Sequence, residues 1–189
     1  MSWSPPPRKV SPLFVQTWPE RIPEARSYPF CWQARQVPIS HHDARPVFDL
    51  LAASAAPGVL MIEWDIAFDG DDLRTLCRRA IAEPDVGFVA PYKLWPGPTW
   101  GHRIIDPPGP DELDFEQAQQ RIRWVKPGDP ACNLPCFGAI YIPRHIAEAW
   151  EPNPADPRLT DSNFAWWAQQ KDLWWSIAWD VRPVHLHYG

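Results

Sequence analysis

The sequence predicts a single α/β domain whose mixed, mostly parallel sheet is flanked by helices. Val59–Asp65 reads Val-Leu-Met-Ile-Glu-Trp-Asp and follows a Pro57-Gly58 break; such a continuous apolar run suits a central strand covered on both faces. An amphipathic helix over Asp71–Glu83 and an apolar strand over Val86–Ala90 come next, which is the order of a βαβ unit. With 189 residues, 45% of them hydrophobic, the chain can bury most of its apolar surface in one domain.

The first 12 residues are proline-rich and polar, an irregular lead-in to a domain spanning residues 13–189. Leu13–Trp18 is a first strand, ended by Pro19. Gln16 and Thr17 sit at its carboxyl end, either hydrogen-bonding a nucleotide base or ribose or acting as ordinary strand-end polar residues. Arg21–Gln33 is irregular and Ala34–Ile39 a short second strand. His41 and His42 are adjacent, face apart on a strand and read as surface residues. In the helix Ala44–Ala55, Val47, Leu50 and Leu51 take helical spacing, and Ser40 or Asp43 supplies the cap.

In the helix Asp71–Glu83, Leu73, Leu76, Cys77, Ala80 and Ile81 share one face. Arg78 and Arg79 complement the dipole at its end from a solvated face. Pro96–Pro110 is a Gly- and Pro-rich loop carrying Trp100, His102 and Arg103, long enough to be functional or mobile. Leu113–Arg123 reads as a helix, Cys136–Ile142 as a strand, and Pro143–Trp150 as a helix with Pro in its first turn. After proline-rich Glu151–Arg158, Thr160-Asp161-Ser162-Asn163 opens an aromatic-rich helix through about Gln170. The chain closes with Trp179–Val181 and then Pro183–Tyr188.

Composition excludes several function classes. A net charge of -5 with no long run of one sign argues against a protein that neutralises nucleic-acid phosphates. No stretch of about 18 apolar residues and no basic-then-apolar N-terminus is present, so neither a membrane span nor a signal peptide is expected, and the expected location is cytoplasmic. Four cysteines are too few for a disulfide framework. Cys132 and Cys136 lack the second pair or the histidines of a zinc site. Thirteen tryptophans are the unusual feature. Most must fill the core, while Trp95, Trp100 and Trp166 are candidates for stacking on a sugar or acceptor.

Three sets of residues carry chemistry. Glu63 and Asp65, two apart, project to one side of an extended chain at the carboxyl edge of a sheet, where ligands of open α/β sheets bind. Two hard oxygen ligands there suit a phosphate bound through Mg²⁺ or Mn²⁺; otherwise they begin a solvated turn leading into Phe68–Asp72. His185 and His187 alternate around Leu186, so on a strand one can ligate a metal while the other binds phosphate or orients the first. Thr160 or Asp161 is a sound helix N-cap, and capping alone accounts for Asp161 on spacing.

In this order the elements resemble a small glycosyltransferase of the GT-A, Rossmann-like fold. Leu13–Trp18 stands as the nucleotide-side strand, and Gln16, Thr17 and Trp18 as its donor-binding residues. Glu63-Trp64-Asp65 is similar to the Asp-x-Asp motif with Glu in first place. The strand and helix over Phe137–Trp150, the acid-led helix Thr160–Trp167 and the terminal His185-Leu186-His187 complete the match.

The resemblance implies that Asp65 binds Mn²⁺ or Mg²⁺ bridging the diphosphate of a nucleotide sugar, with a UDP-sugar favoured. It implies that Glu63 and Trp64 contact the donor, that His187 or His185 completes the metal site, and that Asp161 is the catalytic carboxylate near the acceptor, taking the hydroxyl's proton if the reaction inverts and binding or orienting the acceptor or sugar if it retains configuration. A divalent ion would reverse the repulsion between a diphosphate and two carboxylates. The Gln-x-x-Arg-Trp motif of processive synthases is absent, which implies transfer of a single sugar, as by a hexosyltransferase. The acceptor is a protein, a glycan or a small molecule. Two other readings stand beside this one. The first is a non-catalytic, Trp-rich carbohydrate- or protein-binding module. The second is a nucleotidyltransferase or nucleotide-sugar hydrolase, for which no Gly- and Lys-rich phosphate loop is present.

Overall fold

The computed structural model describes residues 11–21, 34–40, 43–94, 99–105, 120–151 and 160–186. The chain opens with β1 (Leu13–Pro19) and β2 (Arg35–Ile39), followed by helix α1 (Arg45–Ala52). The apolar run forms β3 (Gly58–Glu63), which turns at once into β4 (Ile66–Ala67). Helix α2 (Gly70–Ala82) and β5 (Phe88–Val89) follow. Beyond them lie β6 (Arg103–Ile105), β7 (Ile122–Trp124), β8 (Ala131–Cys132) and β9 (Ala139–Pro143). Helices α3 (Arg144–Ala149) and α4 (Thr160–Gln170), then β10 (Trp175–Ile177) and β11 (Val184–His185), complete the described chain.

The central sheet has seven strands in the order β2-β1-β3-β9-β5-β10-β8. β1 runs parallel to β2 and to β3, and β10 parallel to β5, whereas β9 is antiparallel to both β3 and β5 and β8 antiparallel to β10. The sheet is therefore mixed: β1, β2, β3, β5 and β10 run the same way, as a mostly parallel sheet does, and β9 and β8 oppose them. β3 and β5 do run in the same direction on either side of α2, but β9 is inserted between them.

Alternation along the strands sorts the core into two layers. Val59 and Met61 of β3, with Ile140 and Ile142 of β9, face α1, α3 and α4 through Val47, Leu51, Ile146 and Phe164. Leu60, Ile62, Ala139 and Tyr141 face the other way, onto Leu76 and Ala80 of α2. A strand so covered must be apolar at every position, which is why β3 reads as an unbroken run. Among the described residues no helix is long and apolar enough to cross a membrane.

Several boundaries differ from expectation for local reasons. Asp69 caps α2, accepting from the N–H groups of Asp71 (2.9 Å) and Asp72 (2.8 Å). The N-cap position of α1 is Ala44, without a side-chain bond, and Asp43 one residue earlier accepts from the Arg45 N–H at 3.0 Å. Arg79 lies over the Phe88 ring at 5.3 Å and donates to Ser176 Oγ at 3.1 Å, so it braces α2 on the sheet. The helix expected over Leu113–Arg123 ends differently, since Gln120 and Arg121 turn into β7; residues 111–119 lie outside those described. Phe137 and Gly138 form a turn ahead of β9.

Arg144 ties α1 to α3. Its guanidinium donates to the carbonyls of Leu51 (2.8 Å), Ser54 (2.7 Å) and Ala56 (2.8 Å), the region where helix-end carbonyls lack internal partners. Arg144→Met is expected to cost about 2 kcal/mol, lowering Tm by roughly 4–8 °C. An unchanged melting curve would show that water serves these carbonyls equally well.

Candidate functional site

A cavity of about 330 Å³ opens where β3 and β5 end and β9 begins. Glu63, the last residue of β3, and Asp65, in the following turn, both line it. The strand does not continue through Trp64 to hold both carboxylates on one side. The chain turns there, and the turn itself brings Asp65 back to the cavity that Glu63 faces.

Asp65 is fixed by the end of the chain. β11 pairs antiparallel with β4, setting His185 against Ile66, and the Leu186 N–H donates to the Asp65 carbonyl at 2.6 Å. His185 Nε2 then lies 3.1 Å from Asp65 Oδ2. The hydrogen bond to Asp65 raises the His185 pKa, burial opposes the rise, and the charges of Asp65 and Glu63 add to it. Asp65 Oδ1 is buried and has no hydrogen-bond partner among the described residues. A buried carboxylate oxygen left without a donor costs free energy, and a bound ligand or cation is one explanation for its retention. His187, the other histidine of the expected pair, lies outside the described residues.

Asp161 reaches the same cavity from the first turn of α4, where a negative charge is favoured by the helix dipole. Its Oδ1 accepts from the Ser162 N–H at 2.6 Å, so a local backbone role and a position at the cavity coexist. The field of the carboxylates is felt on buried neighbours. Burial first, then Cys136, Glu63, Asp65 and Asp161, pushes the Tyr92 phenol well above its ordinary range. Burial also pushes the Cys136 thiol up to about 12; Arg103 opposes the rise, while Asp161 and Glu63 add to it. Cys136 is thus a protonated lining group at neutral pH and a poor nucleophile.

Tyr92 is part of the wall. Its ring lies 5.5 Å from that of His185 and edge-on to His102 at 5.4 Å. It fits there because residues 101 and 138 lack side chains: a Cβ on Gly138 would lie 2.5 Å from Tyr92 Cζ, and one on Gly101 would clash with the same atom. His102, fully buried beneath, joins two segments of the wall. Its Nε2 lies 3.0 Å from the Ala90 carbonyl, and its Nδ1 accepts from the Cys136 N–H at 3.2 Å.

Not every expected residue is at the cavity. Gln16, Thr17 and Trp18 are buried in β1 and Trp64 is half-buried; none lines the described cavity. Thr17 is the register partner of Glu63, and its hydroxyl is directed to the Ile62 carbonyl at 3.5 Å. Trp166 packs with Ile105 and Leu134, and Trp100 sits edge-on to Trp179 at 5.1 Å, so both serve packing; Trp95 lies outside the described residues. Among the described residues, the tryptophan that does line the cavity is Trp124, as Arg103 also does. A composition rich in Trp gives no sign of which one is exposed at a site, and Arg103 stood in what read as loop.

No family model matches the chain, and no curated protein matches it. Its fold is similar to the crystal structure of A197 from STIV, with a TM-score of 0.56 at 12% sequence identity, over 93% of this chain and 86% of that one. At that identity the likeness concerns the fold alone: an α/β domain built on a mixed seven-stranded sheet.

Proposed function

We propose that the protein is a metal-dependent glycosyltransferase of GT-A type, moving one sugar from a nucleotide-diphosphate sugar, preferentially a UDP-sugar, to an acceptor hydroxyl. The observation that carries this reading is Asp65. One of its oxygens is held by His185 and the other is buried without a partner among the described residues, in the cavity that Glu63 and Asp161 also line. Among the described residues no three His, Cys, Asp or Glu side chains converge as a ready metal cluster, so these residues supply only part of a coordination shell. Asp65 Oδ1, with Glu63 next to it, would hold Mn²⁺ or Mg²⁺, matching the preference of these ions for hard oxygen donors. When bound, the ion supplies positive charge against the leaving diphosphate.

The chain's own groups account for the remaining roles. His185 holds the Asp65 carboxylate in one orientation, as the hydrogen-bonding partner of a metal ligand does. Asp161 accepts the proton of the acceptor hydroxyl as its oxygen attacks the anomeric carbon and the bond from that carbon to the diphosphate breaks, an inverting displacement. The Tyr92 ring, closed in by Gly101 and Gly138, walls off water that would otherwise hydrolyse the donor.

Thermal unfolding with UDP, GDP and dTDP, each with and without Mn²⁺, tests the reading. Nucleotide at 100 times its Kd should stabilise the protein by about 2.7 kcal/mol, a rise of roughly 5–10 °C. The rise should need the metal and vanish in Asp65→Asn. Unchanged affinity in that variant would end the metal-site reading. Absence of a rise with any base would give the lead to a non-catalytic carbohydrate-binding module, the reading that an exposed Trp124 at the cavity favours.

A further inference from the structure

The cavity carries three carboxylates and one guanidinium, and the guanidinium is built in place. Arg103 and Trp124 are direct register partners across the β6–β7 ribbon. The Arg103 backbone exchanges both hydrogen bonds with Leu134, each 3.1 Å. Two residues along, Asn133 clamps Ile105 by accepting from its N–H at 3.0 Å and donating to its carbonyl at 3.3 Å. The guanidinium carbon lies 5.7 Å from the Trp124 ring centroid, a cation–π arrangement that orients the fork.

Arg103 Nε is nevertheless buried without a hydrogen-bond partner among the described residues. Among the described residues no ion pair joins Arg103 to a carboxylate, although Glu63, Asp65 and Asp161 line the same cavity. Its neighbour Cys136 hydrogen-bonds the Arg103 side chain as a protonated thiol and so brings no negative charge to it. Trp124 is 44% exposed at the cavity, so its indole face is accessible to a ligand there. The carboxylate–imidazole pair that would take the donor diphosphate sits on another ribbon, β4–β11.

We propose that Arg103 and Trp124 form the acceptor subsite and select a sugar whose ring carries an oxyanion, a carboxylate or a phosphate. The indole supplies a flat face for the ring, and the guanidinium fork matches an oxyanion in a way that a lysine would not. This inference rests on the glycosyltransferase reading above, because that reading assigns the donor to the other ribbon.

Calorimetric titration with methyl β-D-glucuronide, glucose 6-phosphate, neutral methyl β-D-glucoside and inorganic phosphate tests it, with UDP–Mn²⁺ titrated in parallel. At least one anionic sugar should bind tenfold or more tightly than the glucoside and than inorganic phosphate, and which one does so separates carboxylate from phosphate recognition. Arg103→Gln should abolish that preference, Arg103→Lys should restore only part of it, and Trp124→Ala should weaken all three sugars while sparing inorganic phosphate. Each variant should keep its UDP–Mn²⁺ affinity, which also shows that it is folded. Equal binding of charged and neutral sugars, or a preference that survives Arg103→Gln, would overturn the proposal. So would inorganic phosphate binding as tightly as the sugars, or a loss of UDP–Mn²⁺ affinity in Arg103→Gln, which would assign the guanidinium to the donor. If the sugars behave as expected and UDP–Mn²⁺ does not bind wild type, the subsite stands and the donor reading fails.

Discussion

Asp161→Asn is expected to lower the rate of sugar transfer by about 10²–10⁴-fold, the range that a positioned general base contributes, while leaving metal-dependent binding of the donor nucleotide intact. The substitution is mild for the fold. The Asn side-chain oxygen can still accept from the Ser162 N–H, now 2.6 Å from Asp161 Oδ1, so the start of α4 keeps its local bond. What disappears is the basic oxygen able to take a proton. Single-turnover transfer, with NMR of the product's anomeric configuration, checks both halves: the rate should collapse in the variant, and the wild-type product should be inverted. A variant that transfers at the wild-type rate, or that simply fails to fold, would reduce Asp161 to a helix-start residue. A retained configuration would remove it from the role of base.

The second large effect concerns acid stability and centres on His102. Burial lowers its pKa from 6.5 to about 4, against the opposing influence of its bond to Ala90 and with a further push from Arg103. Nδ1 accepts from the Cys136 N–H, so Nε2 carries the proton and the ring is neutral; protonation would destroy that acceptor and bury a charge. As pH falls below 6.5 the unfolded chain takes up a proton at this position and the folded chain does not until about pH 4. Stability is therefore full above that window and lost through it, with a slope of up to about 1.4 kcal/mol per pH unit. The loss from this one residue should reach about 3 kcal/mol. Urea denaturation at pH 7, 5.5 and 4 should show it, and His102→Gln, less stable at pH 7, should show a flatter profile by that amount. Identical slopes for the two proteins would assign the acid sensitivity elsewhere.

How much of this was legible in the sequence depended on how local each signal is. β3 could be read because a doubly covered strand needs apolar residues at every position. α4 was read correctly from Thr160 to Gln170 because an acidic start and an aromatic run lie within one helix. The direction of β9 was not legible. Its place between β3 and β5 is decided by pairing of Gly58–Ile62 with Ala139–Pro143, which no local pattern encodes. Strands of two or three residues, such as β4, β6 and β10, are too short to display a period of two.

The site divided in the same way. Glu63 and Asp65 were marked by their position after an apolar run, and His185 by its late place in the chain. Trp124 was not marked and Arg103 only as one residue of a long loop, because their meaning comes from facing each other across a ribbon whose strands are separated by sixteen residues of sequence not assigned to it. Gln16, Thr17 and Trp18 drew attention as polar and aromatic strand-end residues, yet a strand end adjacent to β3 is also where such groups are buried.

The pairing of β4 with β11 bears on how the protein comes off the ribosome. Synthesis proceeds from the N-terminus, and a domain organises as its contacts become available. The sheet from β1 to β9 can assemble once residue 143 has emerged, whereas Asp65 must wait for a residue 120 positions downstream before its Oδ2 acquires a partner. Until then three acidic side chains face one cavity without that imidazole. The Asp65–His185 pair at this cavity should accordingly be among the last contacts a nascent chain forms, well after its main hydrophobic layers.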